Sequence, residues 1–282
     1  MVYPVVPNTN IYKGWLMAIA ATLKKRGANV ETVFARAGMD YEKLLTQEGP
    51  SIGSATSRLW KEAVKETGDP AIGLSVPNYI TATTFHALGF RFQCSLTPLE
   101  LLQNLVRFER LLSNVVVFTL DIDDDLVRLQ FNAAIPQLSP TEEAFDATIS
   151  LVVRAVRRIA NHRPSPVEVC FKRALPPHLF QSEEVYRGVL KCPLTFESEN
   201  NQITWLKVDL EHPIASGNLR LGKQLDNLLE QEIRPFYEQN ISSQLQSLLM
   251  EQLADGEPTQ EKIAQQLNMS LRTLQRKLSG EN

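Results

Sequence analysis

The chain has 282 residues, 43% of them hydrophobic and 22% charged, with a net charge of −3. That length is more than one core usually serves, so two domains are expected. The ordinary composition excludes a fibrous or disordered chain, and the negative balance means that any nucleic-acid surface must be local.

The most apolar stretch, Trp15 to Leu23, has nine residues, where a spanning helix needs about 20. No small-residue cleavage site follows it, so neither a membrane span nor a signal peptide is expected. Cys94, Cys170 and Cys192 form no CxxC pair, zinc spacing or disulfide framework. They read as three reduced thiols in a cytoplasmic protein.

Residues 11–76 read as helices. Trp15, Leu16, Ile19 and Leu23 recur at helical spacing, with Gly27 as a stop. A short helix carries Val33, Phe34 and Ala37 and ends near Gly38. A third runs from about Ser54 through Leu59, Trp60, Ala63 and Val64 to the break Gly68-Asp69-Pro70. Thr97-Pro98 opens a helix expected to reach residue 112, with Leu101, Leu102, Leu105, Phe108, Leu111 and Leu112 on one stripe. Val115 to Leu120 and Leu126 to Phe131 predict a hairpin across Asp121–Asp125. A long helix is predicted over 141–160, with Phe145, Ile149, Val152, Val153, Val156 and Ile159 apolar, and a strand over Val167–Phe171. Leu194–Phe196 and Ile203–Val208 predict a second hairpin.

This order of strands and helices suggests an α+β sensor domain rather than a βαβ repeat. The expected domain spans 1–212, with a helical part at 11–76 and an α+β part at 77–212. A helical linker at 213–240 follows, in which Leu221, Leu225, Leu228 and Leu229 share a face and Pro235 kinks or breaks the run. An all-α segment at 241–282 begins with a helix over Ile241–Leu253.

Residues 258–278 read as a helix, a tight turn and a second helix. Ile263 and Leu267 repeat at i, i+4, as do Leu274 and Leu278. Ala264 is small where crossing helices approach, Asn268 tolerates a positive φ in the turn, and Ser270 is a good N-cap. Leu271, Leu274 and Leu278 point inward on this pattern, leaving Arg272, Thr273, Gln275, Arg276 and Lys277 outside. Arg and Gln can read base edges in a major groove, while Lys and hydroxyls suit phosphates. Residues 270–279 carry three cations and no acid, so the net −3 less this +3 leaves −6 for the rest. A solvated basic helix without a partner would have the same pattern.

The run Leu267-Asn268-Met269-Ser270-Leu271-Arg272-Thr273-Leu274-Gln275-Arg276-Lys277-Leu278 resembles the first helix-turn-helix of AraC/XylS regulators. Gly68-Asp69-Pro70-Ala71-Ile72-Gly73-Leu74 and Leu96-Thr97-Pro98-Leu99-Glu100 resemble the arabinose-binding-type sensor of one subgroup. The resemblance implies a ligand-responsive, DNA-binding transcription regulator, with Arg272, Gln275 and Arg276 facing bases and Ser270, Thr273 and Lys277 near the backbone. It also implies a small organic effector and a homodimer on paired sites. Two departures stand out. Asn268 replaces the family's usual glycine, and the family's second helix-turn-helix does not follow. The expectation is therefore a reader truncated after its first half, which alone binds its operator weakly.

For the effector, Phe85, Phe90, Phe92 and Phe108 lie near His86 and Arg91 and suit an apolar pocket with polar anchors. The same rings fit plain core packing. No cofactor or metal is implied. His86, His162, His178 and His212 look isolated, and the Asp123–Asp125 run lacks EF-hand spacing. Glu142/Glu143 and Glu183/Glu184 read as exposed first-turn charges. No catalytic motif is present, so the chain reads as a non-enzyme. A small-molecule-binding or dimerisation module without DNA binding, and an enzyme with a dispersed site, are the alternatives. The effector's identity and the direction of regulation stay open.

Overall fold

The computed structural model describes residues 10–11, 13–46, 51–113, 115–134, 139–160, 162–176, 182–238, 259–267 and 269–281. The expected helix over 241–253, the turn residue Asn268 and His178 lie outside them, as do the side chains of Lys277 and Leu278. The chain divides into two compact units, Met1–Asp226 and Asn227–Asn282.

The first unit opens with helices α1 (Lys13–Lys25), α2 (Val30–Arg36), α3 (Tyr41–Thr46) and α4 (Gly53–Thr67). A two-residue strand precedes α1 (β1, Asn10–Ile11) and pairs with another before α4 (β2, Ser51–Ile52). Gly27 and Gly38 end α1 and α2 at φ +78° and +79°, a conformation glycine adopts without penalty. Asn29 caps α2 by accepting from Thr32 N at 2.9 Å. Leu16, Ile19, Leu23, Val33, Phe34, Leu59 and Trp60 are buried here, each contributing roughly 1.5–3 kcal/mol.

After the Gly68-Asp69-Pro70 break the chain forms 3-10 turns over Ile72–Tyr79 and Ala82–Phe85, then α5 (His86–Gln93). Helix α6 (Pro98–Arg107) starts as expected, with Thr97 Oγ1 accepting from Glu100 N at 3.1 Å and Pro98 in the first turn. It stops at Phe108, short of the predicted residue 112, and Glu109–Leu112 forms a separate turn, α7. The Glu109 carboxylate accepts the Phe118 N–H at 2.6 Å, which ties this turn to a strand instead of to α6.

A five-stranded sheet carries the core, in the order β3 (Val116–Ile122), β4 (Leu126–Ala133), β7 (Asn201–Leu206), β5 (Glu168–Cys170), β6 (Leu194–Thr195). The first hairpin is as predicted. Asp123 builds its turn by accepting from Asp125 N and Leu126 N at 3.0 and 2.7 Å. The second predicted hairpin does not form. Strand β5 separates β7 from β6, pairing antiparallel with β7 (Val169 opposite Ile203) and parallel with β6. Both edges of β7 are thus taken, by β4 and β5. Phe196 leaves the strand and stacks on Phe171 at 5.2 Å, and Val208 falls in a short helix, α10 (Lys207–Leu210).

Helix α8 (Glu142–Ile159) contributes Phe145, Ile149, Val152, Val153 and Val156 to one core with Val127, Leu129, Phe131, Ile203 and Trp205 of the sheet. Helix α9 (Ser182–Leu190) adds Tyr186 and Leu190. The α+β expectation for the sensor thus holds.

Helix α11 runs from Leu219 to Glu238 and so passes Pro235 without a break, which leaves a kink as the other half of the expectation. Pro235 lies in the last turn, where the N–H it lacks removes a single helical bond. The predicted leucine face is also rotated. Gly222 and Leu229 are buried, whereas Leu221 and Leu228 are exposed.

Candidate nucleic-acid interface and sensor site

In the second unit, one helix spans Gln260–Gln266 and another Leu271–Glu281. Thr259 caps the first by accepting from Lys262 N at 3.3 Å, and Ser270 caps the second by accepting from Thr273 N at 3.2 Å. The Ser270 and Thr273 hydroxyls also pair at 2.8 Å. Between the helices, Met269 N donates to Ala264 O at 3.0 Å. Ile263, Ala264 and Leu274 form the buried centre, with Leu267, Met269 and Leu271 against it. Burying Leu274 on the inner side turns Arg272, Gln275 and Arg276 outward, and all three are exposed.

In the sensor, the predicted effector residues occupy separate environments. Phe108 is buried, and Phe92 is partly buried against the core shared by the sheet and α8. Phe85 is buried with its ring 6.4 Å from Trp15. Phe90 is exposed, and so is His86, which holds φ +48° at the start of α5.

Arg91 is buried, and its partners account for it. Its Nε donates to Asp226 Oδ1 at 2.6 Å and its Nη2 to Glu100 Oε1 at 2.7 Å. Burial opposes the Arg91 charge, but the hydrogen bonds to Asp226 and Glu100 overcome this and raise its pKa. Glu100 is itself held, accepting from Leu96 N at 2.6 Å. Asp226 belongs to α11, so this pair joins the sensor to the first turns of that helix.

A second charged group lay outside the sequence reading. Asp146, on the buried face of α8, is fully enclosed. Its Oδ2 accepts from Arg173 Nη1 at 2.5 Å and from Tyr186 Oη at 2.6 Å. Burial pushes the Asp146 carboxyl up to about 7 against the pull of Arg173 and Tyr186. Burial and the adjacent Asp146 also raise the Tyr186 phenol. Asp146 Oδ1 and Arg173 Nε are buried without a hydrogen-bond partner. Glu143 approaches Arg173 at 4.0 Å with its side chain 15% exposed, so it is not the solvated charge expected. Glu183, by contrast, is half-exposed and pairs with Arg187 at 2.5 Å.

The histidines are less isolated than expected, since the His162 and His212 rings lie 4.7 Å apart. All three cysteines are free, and burial raises the pKa of each thiol. No helix among the described residues is long and apolar enough to cross a membrane.

The first unit is thus an α+β layer tied by a buried ion pair to a long helix. A family model, the arabinose-binding domain of AraC transcription regulators, N-terminal, matches residues 27–214. That is well over half of the chain, and the chain belongs to this family. Comparison with curated proteins gives no significant match. Among solved structures, the chain is similar to the transcriptional regulator CdpR from Pseudomonas aeruginosa, with 19% identity and a TM-score of 0.55. The match covers 98% of this chain and 81% of that one. At this identity the likeness shows a shared fold.

Proposed function

We propose that the chain is a ligand-responsive, AraC-type regulator, not an enzyme, that reads double-stranded DNA through the helix beginning at Leu271. One observation carries this reading. Ser270 caps a helix whose Leu274 is buried while Arg272, Gln275 and Arg276 are exposed together. Those three side chains reach base edges. Ser270, Thr273 and Lys277 lie along the phosphates, where they fix register without reading sequence. The sensor takes a small organic effector and the working species is a homodimer on paired half-sites. The Arg91–Asp226 pair supports a route for the signal, because Asp226 lies on the helix that continues into the second unit.

Selection from a random duplex pool tests the DNA reading. At low salt, where even a half-reader's few phosphate contacts hold a duplex, the wild-type chain should weakly enrich one sequence class, and R272A and R276A should each relax one base position by about 1–3 kcal/mol. Enrichment that survives both substitutions unchanged, or no enrichment at all, would overturn it.

A further inference from the structure

His162, Asp209 and His212 offer two imidazole nitrogens and a carboxylate oxygen whose ligand atoms all lie within 4.8 Å of one another. The three come from different parts of the sensor. His162 follows α8, Asp209 sits on α10, and His212 stands just beyond it. The rings meet edge to face, with centroids 4.7 Å apart. From this geometry we infer that the three residues form a binding site for one divalent transition-metal ion of the zinc type.

Imidazole with a single carboxylate is a donor set that suits zinc and its neighbours, whereas calcium and magnesium call for oxygen alone. Bonds of roughly 2.0–2.2 Å to each ligand require the donor atoms to stand somewhat over 3 Å apart, so the side chains must close by an ångström or so. Both histidines are exposed, and surface rotamers make that adjustment easily.

A second contact prepares the site. His162 Nε2 lies 2.8 Å from the Asp209 backbone oxygen, an atom that only accepts. In the neutral ring this contact puts the proton on Nε2 and leaves Nδ1 as the lone-pair nitrogen. Metal-binding histidines characteristically give their other N–H to a carbonyl or carboxylate in this way, which fixes tautomer and orientation. Three protein ligands leave a fourth position for water or a small ligand. The metal would fasten the loop after α8 to the segment that leads into α11. That segment is pinned further on, by Ile214 N donating to Leu96 O at 2.8 Å and Asn218 N to Cys94 O at 3.0 Å.

Chelator-stripped chain titrated with Co2+ alone, then with Zn2+ as competitor, tests the site. One Co2+ per chain should bind with visible d–d bands, and Zn2+ should displace it. H162A, H212A and D209N should each weaken binding by at least about 100-fold, since even losing a partner of a ligand costs 10–100-fold. H178A should leave binding unchanged. Zn2+ should raise the wild-type melting temperature and leave that of H212A where it is. All three variants should melt with the wild type when stripped, which separates lost ligation from lost fold. Retention of the ion by H212A or D209N, or its loss in H178A, would overturn the site. None of these results bears on DNA binding.

Discussion

Arg91 Nε donates to Asp226 Oδ1 at 2.6 Å, while its Nη2 reaches Asp226 Oδ2 at 3.4 Å. The side chains are 6% and 17% exposed, and the guanidinium lies 3.5 Å from where a Cβ on Gly222 would stand. Removing one member of a buried pair leaves an uncompensated charge, at a cost of about 3–5 kcal/mol. Glu100 still faces Arg91, so D226A should fall near the lower end. Urea unfolding of R91A, D226A and the double variant measures the coupling. The double should lose less than the sum of the singles by about 1–3 kcal/mol. Additive losses would mean that the two residues act independently.

Asp146 predicts a pH dependence with a definite sign. Its folded pKa, near 7, lies above the ordinary aspartate value of 3.8. Between those values the folded chain holds a proton that the unfolded chain releases. The group's contribution is therefore fully present below about pH 4 and is lost as pH rises through 7, with a slope of at most about 1.4 kcal/mol per pH unit. D146N cannot titrate. Wild-type stability minus that of D146N, measured by urea unfolding from pH 5 to 8, should therefore fall with rising pH and level off above 7. A flat difference would show the carboxylate charged throughout.

Gly73 shows why the 70–74 motif has its residues. A Cβ there would stand 2.2 Å from Glu143 O and 3.1 Å from Ala147 N, both backbone atoms of α8. The 3-10 turn and the helix could not keep their approach, and Ser150 Oγ would lose its 3.2 Å bond to Leu74 O. G73A should destabilise by at least the ~1–3 kcal/mol typical of overpacking. Thermal melting against G188A, where a Cβ meets nothing within 4 Å, gives the comparison. Equal melting points for the two variants would refute the close approach.

What the sequence reveals here follows the range of each signal. The α8 stripe and the 116–133 hairpin were legible because period and turn chemistry are local. So were the Ser270 cap and the inward Leu274. The β5–β6 pairing was not, because parallel pairing across a crossover leaves no local mark. Asp146 belongs to the same stretch as Phe145 and Ala147, and its hydrogen-bond partners inside, Arg173 and Tyr186, lie 27 and 40 residues away. His162 and His212 looked isolated for the same reason.

The predicted effector rings separate by environment, which gives a stability test. Phe108 is 1% exposed and Phe90 44%. F108A should open a core cavity and cost about 3–5 kcal/mol. F90A should stay within roughly 0.5 kcal/mol of wild type, as surface substitutions usually do. Phe90 is thus the ring that can be tested for effector contact without disturbing the fold. If F90A keeps wild-type stability but loses the melting-temperature rise a small ligand gives the wild type, the ring touches that ligand. An undiminished rise would remove Phe90 from the effector site. Of the two expected polar anchors, His86 and Arg91, the second is engaged by Asp226 and Glu100, so an anionic effector reaching it would have to displace one of those carboxylates.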